Sequence, residues 1–304
     1  MISLDDFKNI HLEDKPLFDT HYHHYPPQHS GELFTTMISW AHYVEYRYAT
    51  INNAIIILSK DNNGSVLHPP SGKITKDLYT EIIKLAVKED CIFGFIKKTE
   101  KDILTQQFPT LKIEEDRDFF DYVYKTSDLA ELPGTKYGKI RNRLNKFKKN
   151  YAYTTEDITE DNMEEVNEFL KRWCLWKDCS SDELLENERK AIMYSMEHFY
   201  DFNFKGLALR IDDVIQAIAV YEKMNPETIV VHFEKGSPDH DGIYKAINME
   251  TAKKVRDIVP FIDREEDLGI PGLRQAKLSY NPDHFIELYY ATKESTRTTM
   301  LDTS

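Results

Sequence analysis

The residues best suited to chemistry crowd into the stretch from Thr228 to Tyr290. It opens with a β-rich apolar run, Thr228-Ile229-Val230-Val231-His232-Phe233-Glu234-Lys235, and turns through Gly236-Ser237-Pro238-Asp239-His240-Asp241-Gly242. A helix-patterned segment, Ile243 to Ala252, follows, then a short strand signal at Val259-Pro260-Phe261-Ile262 and a charged cluster from Asp263 to Asp267. A helix that opens toward a strand-ending turn aims free N–H groups and the positive end of its dipole at one place. That place suits an anion or a developing oxyanion. The charged cluster would lie beside it, which is how a site for acyl transfer is commonly built. Alternation along the strand puts His232 and Glu234 on one face, as rivals for the role of proton acceptor. The plainer reading makes Arg264, Glu265 and Asp267 an ion network that fixes strand ends, with His232 a hydrogen-bonded core histidine.

Two further groups compete. Asp19-Thr20-His21-Tyr22-His23-His24 reads like the strand-end His-x-His that holds a divalent ion in hydrolase barrels. A barrel needs eight strand–helix repeats, whereas this chain is patterned as hairpins and paired helices. The other histidines, His198, His232, His240 and His284, have no metal spacing. No metal is therefore expected, and His21, His23 and His24 are assigned to an exposed loop. Cys174 and Cys179, near Trp173 and Trp176, are expected on a core helix face rather than at a thiol site.

The elements that must position these residues form two similar halves. In the first, Leu33 to Tyr46 is patterned as a helix, and Asn52-Asn53 joins two strand-like runs as a tight hairpin. A helix around Leu78 to Ala86, a strand at Ile92 to Ile96, a helix near 100–107 and a closing strand at Phe119 to Tyr124 follow. In the second half, Met163 to Lys177 and Leu185 to Phe199 read as helices. Asp212-Asp213 then joins two strands ahead of the stretch described first.

Composition points to a globular enzyme without a membrane span. Hydrophobic residues at 41% and aromatics at 12% can fill cores. Three cysteines, an odd number, suggest no disulfide framework. The acidic opening, Met1 to Phe7, is unlike a secretory leader, and no apolar run approaches the roughly 20 residues that cross a bilayer. A cytoplasmic location is expected. A net charge of −13 argues against general attraction to nucleic acid or anionic lipid. Against that background Lys136, Lys139, Arg141, Arg143, Lys146, Lys148 and Lys149 form a positive island with Tyr137, Phe147 and Tyr151 interleaved, able to meet phosphates or to be an ordinary solvated face.

Four pieces carry a resemblance to a known family. They are Glu32 to Trp40; Tyr124 to Gly134, running into Arg141-Asn142-Arg143-Leu144-Asn145-Lys146-Phe147; Val231 to Lys235 with Gly242 to Asn248; and Arg264 to Gly269 with Gly272 to Pro282. Together they resemble the soluble relatives of the C-terminal catalytic domain of phosphatidylglycerol lysyltransferase. The resemblance implies an α+β fold of tandem GNAT-like (acyl-CoA N-acyltransferase) domains, each a mixed, mostly antiparallel sheet flanked by helices. The expected divisions are residues 1–134, a basic connecting helix at 135–150, a site-bearing domain at 151–291, and a flexible tail at 292–304, which lacks a periodic apolar face.

The resemblance further implies an enzyme that moves an aminoacyl group from charged tRNA to an amine or hydroxyl, without a cofactor. Gly236 and Gly242 are too far apart for one tight phosphate nest, which favours aminoacyl-tRNA over acyl-CoA as donor. An aminoacyl ester is already activated, so the protein must position the acceptor and stabilise an oxyanion. Lys277, Tyr280 and the amides after Gly242 are candidate oxyanion donors; His232 or Glu234 could take the acceptor's proton. Glu234 or Asp267 could bind the donor's α-ammonium, and Arg264 a phosphate or carboxylate. Lys235, Gly242, Tyr244, Asn248 and Glu265 are expected to line the site, and Lys136, Lys139, Arg141, Arg143 and Lys146 to bind tRNA. The acceptor is open among small molecule, peptide and lipid, with peripheral membrane contact. An acyl-CoA-dependent N-acyltransferase and a non-catalytic binding protein are the alternatives.

Overall fold

The computed structural model describes residues 2–302. Its chain divides into two units, Met1–Phe120 with Ile286–Ser304, and Asp121–Phe285. In the first unit β1 (Lys8–Asn9), α1 (Lys15–His24) and α2 (Phe34–Ser39) precede the hairpin of β2 (Glu45–Ile51) and β3 (Ala54–Asp61). Asn52 and Asn53 close it with φ of 50° and 65°, the left-handed pair that suits a two-residue turn between twisted strands. β4 (Gly64–Leu67), α3 (Lys76–Lys88), β5 (Ile92–Lys97), α4 (Lys98–Gln107) and β6 (Ile113–Glu115) follow. β4 and β5 run parallel, and α3 is the crossover such a pair needs, burying Leu78, Ile82, Ile83 and Ala86.

The second unit repeats this grammar. It contains β7 (Asp121–Lys125), α5 (Thr126–Glu131), α6 (Gly138–Asn150), β8 (Tyr153–Asp157), α7 (Met163–Lys177) and α8 (Glu183–Glu197). After these come β9 (Lys205–Ile211), β10 (Val214–Asn225), β11 (Thr228–Gly236), α9 (Ile243–Val255), β12 (Phe261–Asp263), α10 (Pro271–Leu278) and β13 (His284–Ile286). Asp212 and Asp213 close the β9–β10 hairpin at φ of 50° and 63°. β11 and β12 are the parallel pair, with α9 as crossover. β14 (Leu288–Ala291) and α11 (Lys293–Asp302) then return to the first unit.

The strand orders are β1-β2-β3-β4-β5-β14-β6 and β13-β7-β12-β11-β10-β9-β8. Each sheet therefore takes one strand from the other half of the sequence. β7, expected to close the first half, pairs with β12, and β14 fills the corresponding place beside β5. Strand partners are chosen by backbone pairing and buried faces rather than by nearness in sequence. The divisions at 134 and 291 accordingly move to Phe120 and Phe285. Each unit has its own core, one centred on Ile56, Ile82 and Phe93, the other on Leu209, Ile247 and Ile262.

Three local expectations are corrected. The helix from Leu33 is only Phe34–Ser39 long. The basic helix is not a connector: α6 lies inside the second unit and buries Ile140, Leu144 and Phe147 in that unit's core. The tail forms α11, with Ser295, Thr296, Thr299 and Met300 buried; Thr303 and Ser304 lie outside the described residues. Its buried stripe has helical spacing but is made mostly of hydroxyl residues, and Thr296 Oγ1 donates back to the Thr292 carbonyl at 2.8 Å. A search for apolar periodicity does not see such a stripe.

Gly242 caps α9 with φ of 98°, and a Cβ there would lie 3.0 Å from Phe147 Cβ and 3.2 Å from the Arg143 carbonyl oxygen. Gly242→Ala should therefore destabilise the protein by about 1–3 kcal/mol, combining left-handed strain with crowding of α6. Chemical denaturation that shows no loss would refute this role for the glycine.

Candidate active site

β11 and β12 pair over three registers, ending at Val230↔Asp263, after which β11 continues to Gly236. The strands part there, and the residues expected to act lie on both sides of the opening. A bulge decides which side each takes. Against β10, Tyr221 pairs with Val231 and Val220 with Phe233, so His232 is an extra residue and the alternation shifts by one. His232 and Glu234 therefore do not share a face, contrary to simple alternation. Glu234 pairs with Ala219 and meets Asn248 of α9, whereas His232 packs on Phe204 with ring centroids 5.2 Å apart.

On the α9 side, Glu234 accepts from Asn248 Nδ2 at 3.0 Å and from Arg264 Nη2 at 3.0 Å. The Arg264 guanidinium lies 4.9 Å from the Tyr280 ring centroid and 5.8 Å from that of Tyr124. The Lys245 ammonium lies 4.4 Å from the same Tyr280 ring. Burial, helped by the charges of Arg264 and Arg143 and opposed by Glu234, pushes the Lys245 pKa down to about 8. Burial likewise raises the Tyr280 phenol. Lys245 and Arg264 thus lie by the one carboxylate Glu234, with Arg143, itself paired to Asp241, close enough to act on Lys245. Lys245 was not foreseen. Its signal is a lysine in the first turn of a helix, where the dipole disfavours a cation.

On the opposite side, His232 Nδ1 is 2.8 Å from Glu265 Oε1 and Nε2 is 2.9 Å from Glu222 Oε1. Burial would lower the imidazole's pKa, but hydrogen bonds to the two carboxylates and their charges raise it to about 10. The ring is an imidazolium with both N–H groups given to carboxylates, so it cannot serve as the proton acceptor.

Other expected site residues hold the frame instead. Lys277 donates to the carbonyl oxygens of Arg264 at 2.6 Å, of Glu265 at 2.9 Å and of Glu266. It pins the loop after β12 rather than waiting for an oxyanion. Asp267, fully buried, accepts from Tyr122 Oη at 2.5 Å, Gly269 N at 2.9 Å and Arg274 at 2.7 and 2.8 Å. Against the cost of burial, these donors hold its carboxyl down at about 2, with its oxygens engaged rather than offered to an α-ammonium. Lys235 faces away from Glu234, donating to Glu188 at 2.7 Å and lying 4.4 Å from the Trp173 ring centroid. Tyr244 accepts from Trp173 Nε1 at 3.2 Å on that side.

The basic helix adjoins the site, because Gly242 at the head of α9 touches Phe147 and Arg143. Lys136, Lys139, Arg143 and Lys146 are exposed on α6 and the turn before it, with Arg143 and Lys146 each 3.3 Å from Asp241 and Lys136 3.2 Å from Asp128. Arg141 differs: its Nη1 donates to the carbonyls of Leu132 and Gly134 at 2.5 Å each, a structural use. The His-x-His segment is the helix α1, neither strand end nor loop, so its alternate imidazoles point to different faces; His21 Nε2 is 2.9 Å from Ser71 Oγ. Cys174 and Cys179 meet at the end of α7 with sulfurs 2.9 Å apart, and burial beside Cys179 pushes the Cys174 thiol up to about 12.

Comparison with known proteins gives these residues a context. The family model described as phosphatidylglycerol lysyltransferase, C-terminal, matches residues 22–292. A crystal structure of a conserved protein of unknown function from Bacteroides thetaiotaomicron is 31% identical, with a TM-score of 0.86 over 94% of this chain and 98% of that one. L-PGS from Bacillus licheniformis shares the fold at 15% identity, with a TM-score of 0.62 over 95% of each chain. A Mycoplasmoides gallisepticum protein is 24% identical over 170 residues, 56% of this chain and 54% of its own length, so the chain spans about half of that curated relative.

The raised pKa of His232 has a consequence for stability. A folded value of about 10 against 6.5 means that the imidazolium's contribution is complete below 6.5 and lost as pH climbs through 10. The stability gap between wild type and His232→Gln should narrow across that window, and the ring nitrogens should still read as protonated by NMR at about pH 8. A gap independent of pH, or a neutral ring at pH 8, would show that the two carboxylates do not hold a proton there.

Proposed function

Since the chain belongs to the phosphatidylglycerol lysyltransferase C-terminal family, we propose that its second unit transfers an aminoacyl group from charged tRNA to an amine or hydroxyl acceptor. The coarser assignment is firm: this is an acyltransferase domain of the GNAT-like, lysylphosphatidylglycerol synthase type. The observation that supports the finer one is the placement of α6. Its exposed lysines and Arg143 lead to the N-terminus of α9, and Arg143 lies close enough to depress Lys245 within the site. A phosphate backbone held on α6 would bring a 3′-terminal ester toward Lys245, Arg264 and the head of α9.

The chemistry then needs little more. Attack on the ester carbonyl makes a tetrahedral oxyanion, and Lys245 as ammonium and Arg264 are the cations nearby to receive it. Glu234 holds Arg264 and Asn248 in place. A Lys245 pKa of about 8 leaves part of this amine neutral near physiological pH, so it could also receive the acceptor's proton. No helix among the described residues is long and apolar enough to cross a membrane.

Reversing Lys139, Arg143 and Lys146 to glutamate should weaken binding of charged tRNA by roughly a hundredfold or more and flatten its salt dependence. Lys245→Gln should retain binding and lower transfer by about a hundredfold. Both are read from filter binding and from release of labelled amino acid to acceptor. Unchanged tRNA binding by the triple variant, or turnover of acyl-CoA that the triple variant leaves intact, would favour an acyl-CoA donor.

A further inference from the structure

The first unit's parallel pair opens as the second's does. β4 and β5 pair only at Val66↔Ile92 and Leu67↔Phe93. Beyond Leu67 the chain departs as His68-Pro69-Pro70-Ser71, whose prolines have no N–H to continue a ladder, while β5 runs on to Lys97. β5 is itself distorted. Phe95 has φ of 62°, and the register against β14 slips between Tyr289 and Ala291. A Cβ on Gly31 would lie 2.6 Å from the Phe95 ring, so the glycine leaves that ring its place. A cavity of about 340 Å³ lies at this opening, with Phe18, Tyr25, Ile57, Pro69, Pro70 and Phe95 among its walls.

Its polar end is unbalanced in charge. Glu32, Lys97 and Glu100 all line it. Lys97 donates to Glu32 and lies 3.3 Å from Glu100 Oε1, so two carboxylates share one ammonium. The two imidazoles with lowered pKa that line the cavity, His68 and His21, do not restore the balance. His68 is stacked on Phe95 with centroids 4.6 Å apart, and burial pushes it down to about 3. His29 accepts the Gly31 N–H on Nδ1 at 3.0 Å and donates from Nε2 to the Phe119 carbonyl at 2.8 Å. Burial also lowers His21. Burial, opposed by the Lys97 charge and reinforced by that of Glu32, raises Glu100.

We propose that this cavity is a second binding site, separate from the transferase centre, for a small molecule bearing a protonated amine on a compact apolar or aromatic body. The ammonium completes the charge of the Glu32–Lys97–Glu100 group, and the body packs among Phe95, Tyr25 and the prolines. The volume falls at the small end of pockets that enclose whole ligands, roughly 300 Å³ and upward. A carboxylate or phosphate ligand would add to the excess negative charge and is disfavoured.

Isothermal titration of the full chain tests this with tyramine, its neutral N-acetyl derivative and the anionic 4-hydroxyphenylacetate, which share one ring. Tyramine should bind one to one, and the other two roughly tenfold or more weakly. Glu100→Gln should weaken tyramine by a similar factor. Ile103→Trp, at a cavity residue that is 41% exposed, should block the site while leaving the melting temperature intact. The proposal fails if tyramine and its acetylated form bind alike, or if Ile103→Trp leaves binding unchanged. It also fails if neither tyramine nor cyclohexylamine binds at millimolar concentration. These outcomes do not depend on tRNA or on acyl transfer.

Discussion

One buried ammonium holds the loop after β12, and with it the candidate site, in place. Lys277 reaches from α10 to three successive carbonyl oxygens, those of Arg264, Glu265 and Glu266, and so ties down the loop that follows β12. With that loop pinned, neighbouring residues serve opposite sides of the sheet. Arg264 turns to Glu234 and the Tyr280 ring, and Glu265 turns to His232. The arrangement works because a buried cation surrounded by carbonyl dipoles is hydrogen-bonded without needing a carboxylate of its own. The acidic side chains nearby are left for other partners.

The same economy separates structure from chemistry within a few residues. The side of the sheet that holds His232 is closed electrostatically, with one imidazolium shared by Glu222 and Glu265. The α9 side is open in that sense, with Lys245 and Arg264 beside Glu234 and Arg143 nearby on Asp241. The bulge at His232 makes the division possible, since an unbroken strand would point Glu234 toward the closed side. The first unit uses the same strand opening with the opposite sign, two carboxylates to one lysine. One architecture thus presents two differently charged mouths.

Much of this was legible in the sequence. The paired-asparagine and paired-aspartate hairpins, the crossover helices and the glycine-capped α9 follow from turn chemistry and periodicity, and the motifs around Val231 and Arg264 pointed to the family. What could not be read were relations that depend on the third dimension. The exchange of β7 and β14 leaves no trace in composition, because each strand looks alike whichever sheet it joins. The bulge cannot be seen in Val231-His232-Phe233-Glu234, where alternation predicts one shared face. Lys277 and Asp267 carry the residue types of a catalytic group, and only their filled hydrogen bonds reveal a structural office. Lys245 was overlooked because a lone lysine on a helix ordinarily faces solvent.

The strand exchange also orders events during synthesis. Residues 121–285 form a contiguous unit that can complete itself as soon as it has left the ribosome. The first unit cannot, for β5 and β6 have an empty lane between them until Leu288–Ala291 emerges. The half made first is therefore the half finished last, and it waits with an unpaired edge that other nascent chains can join.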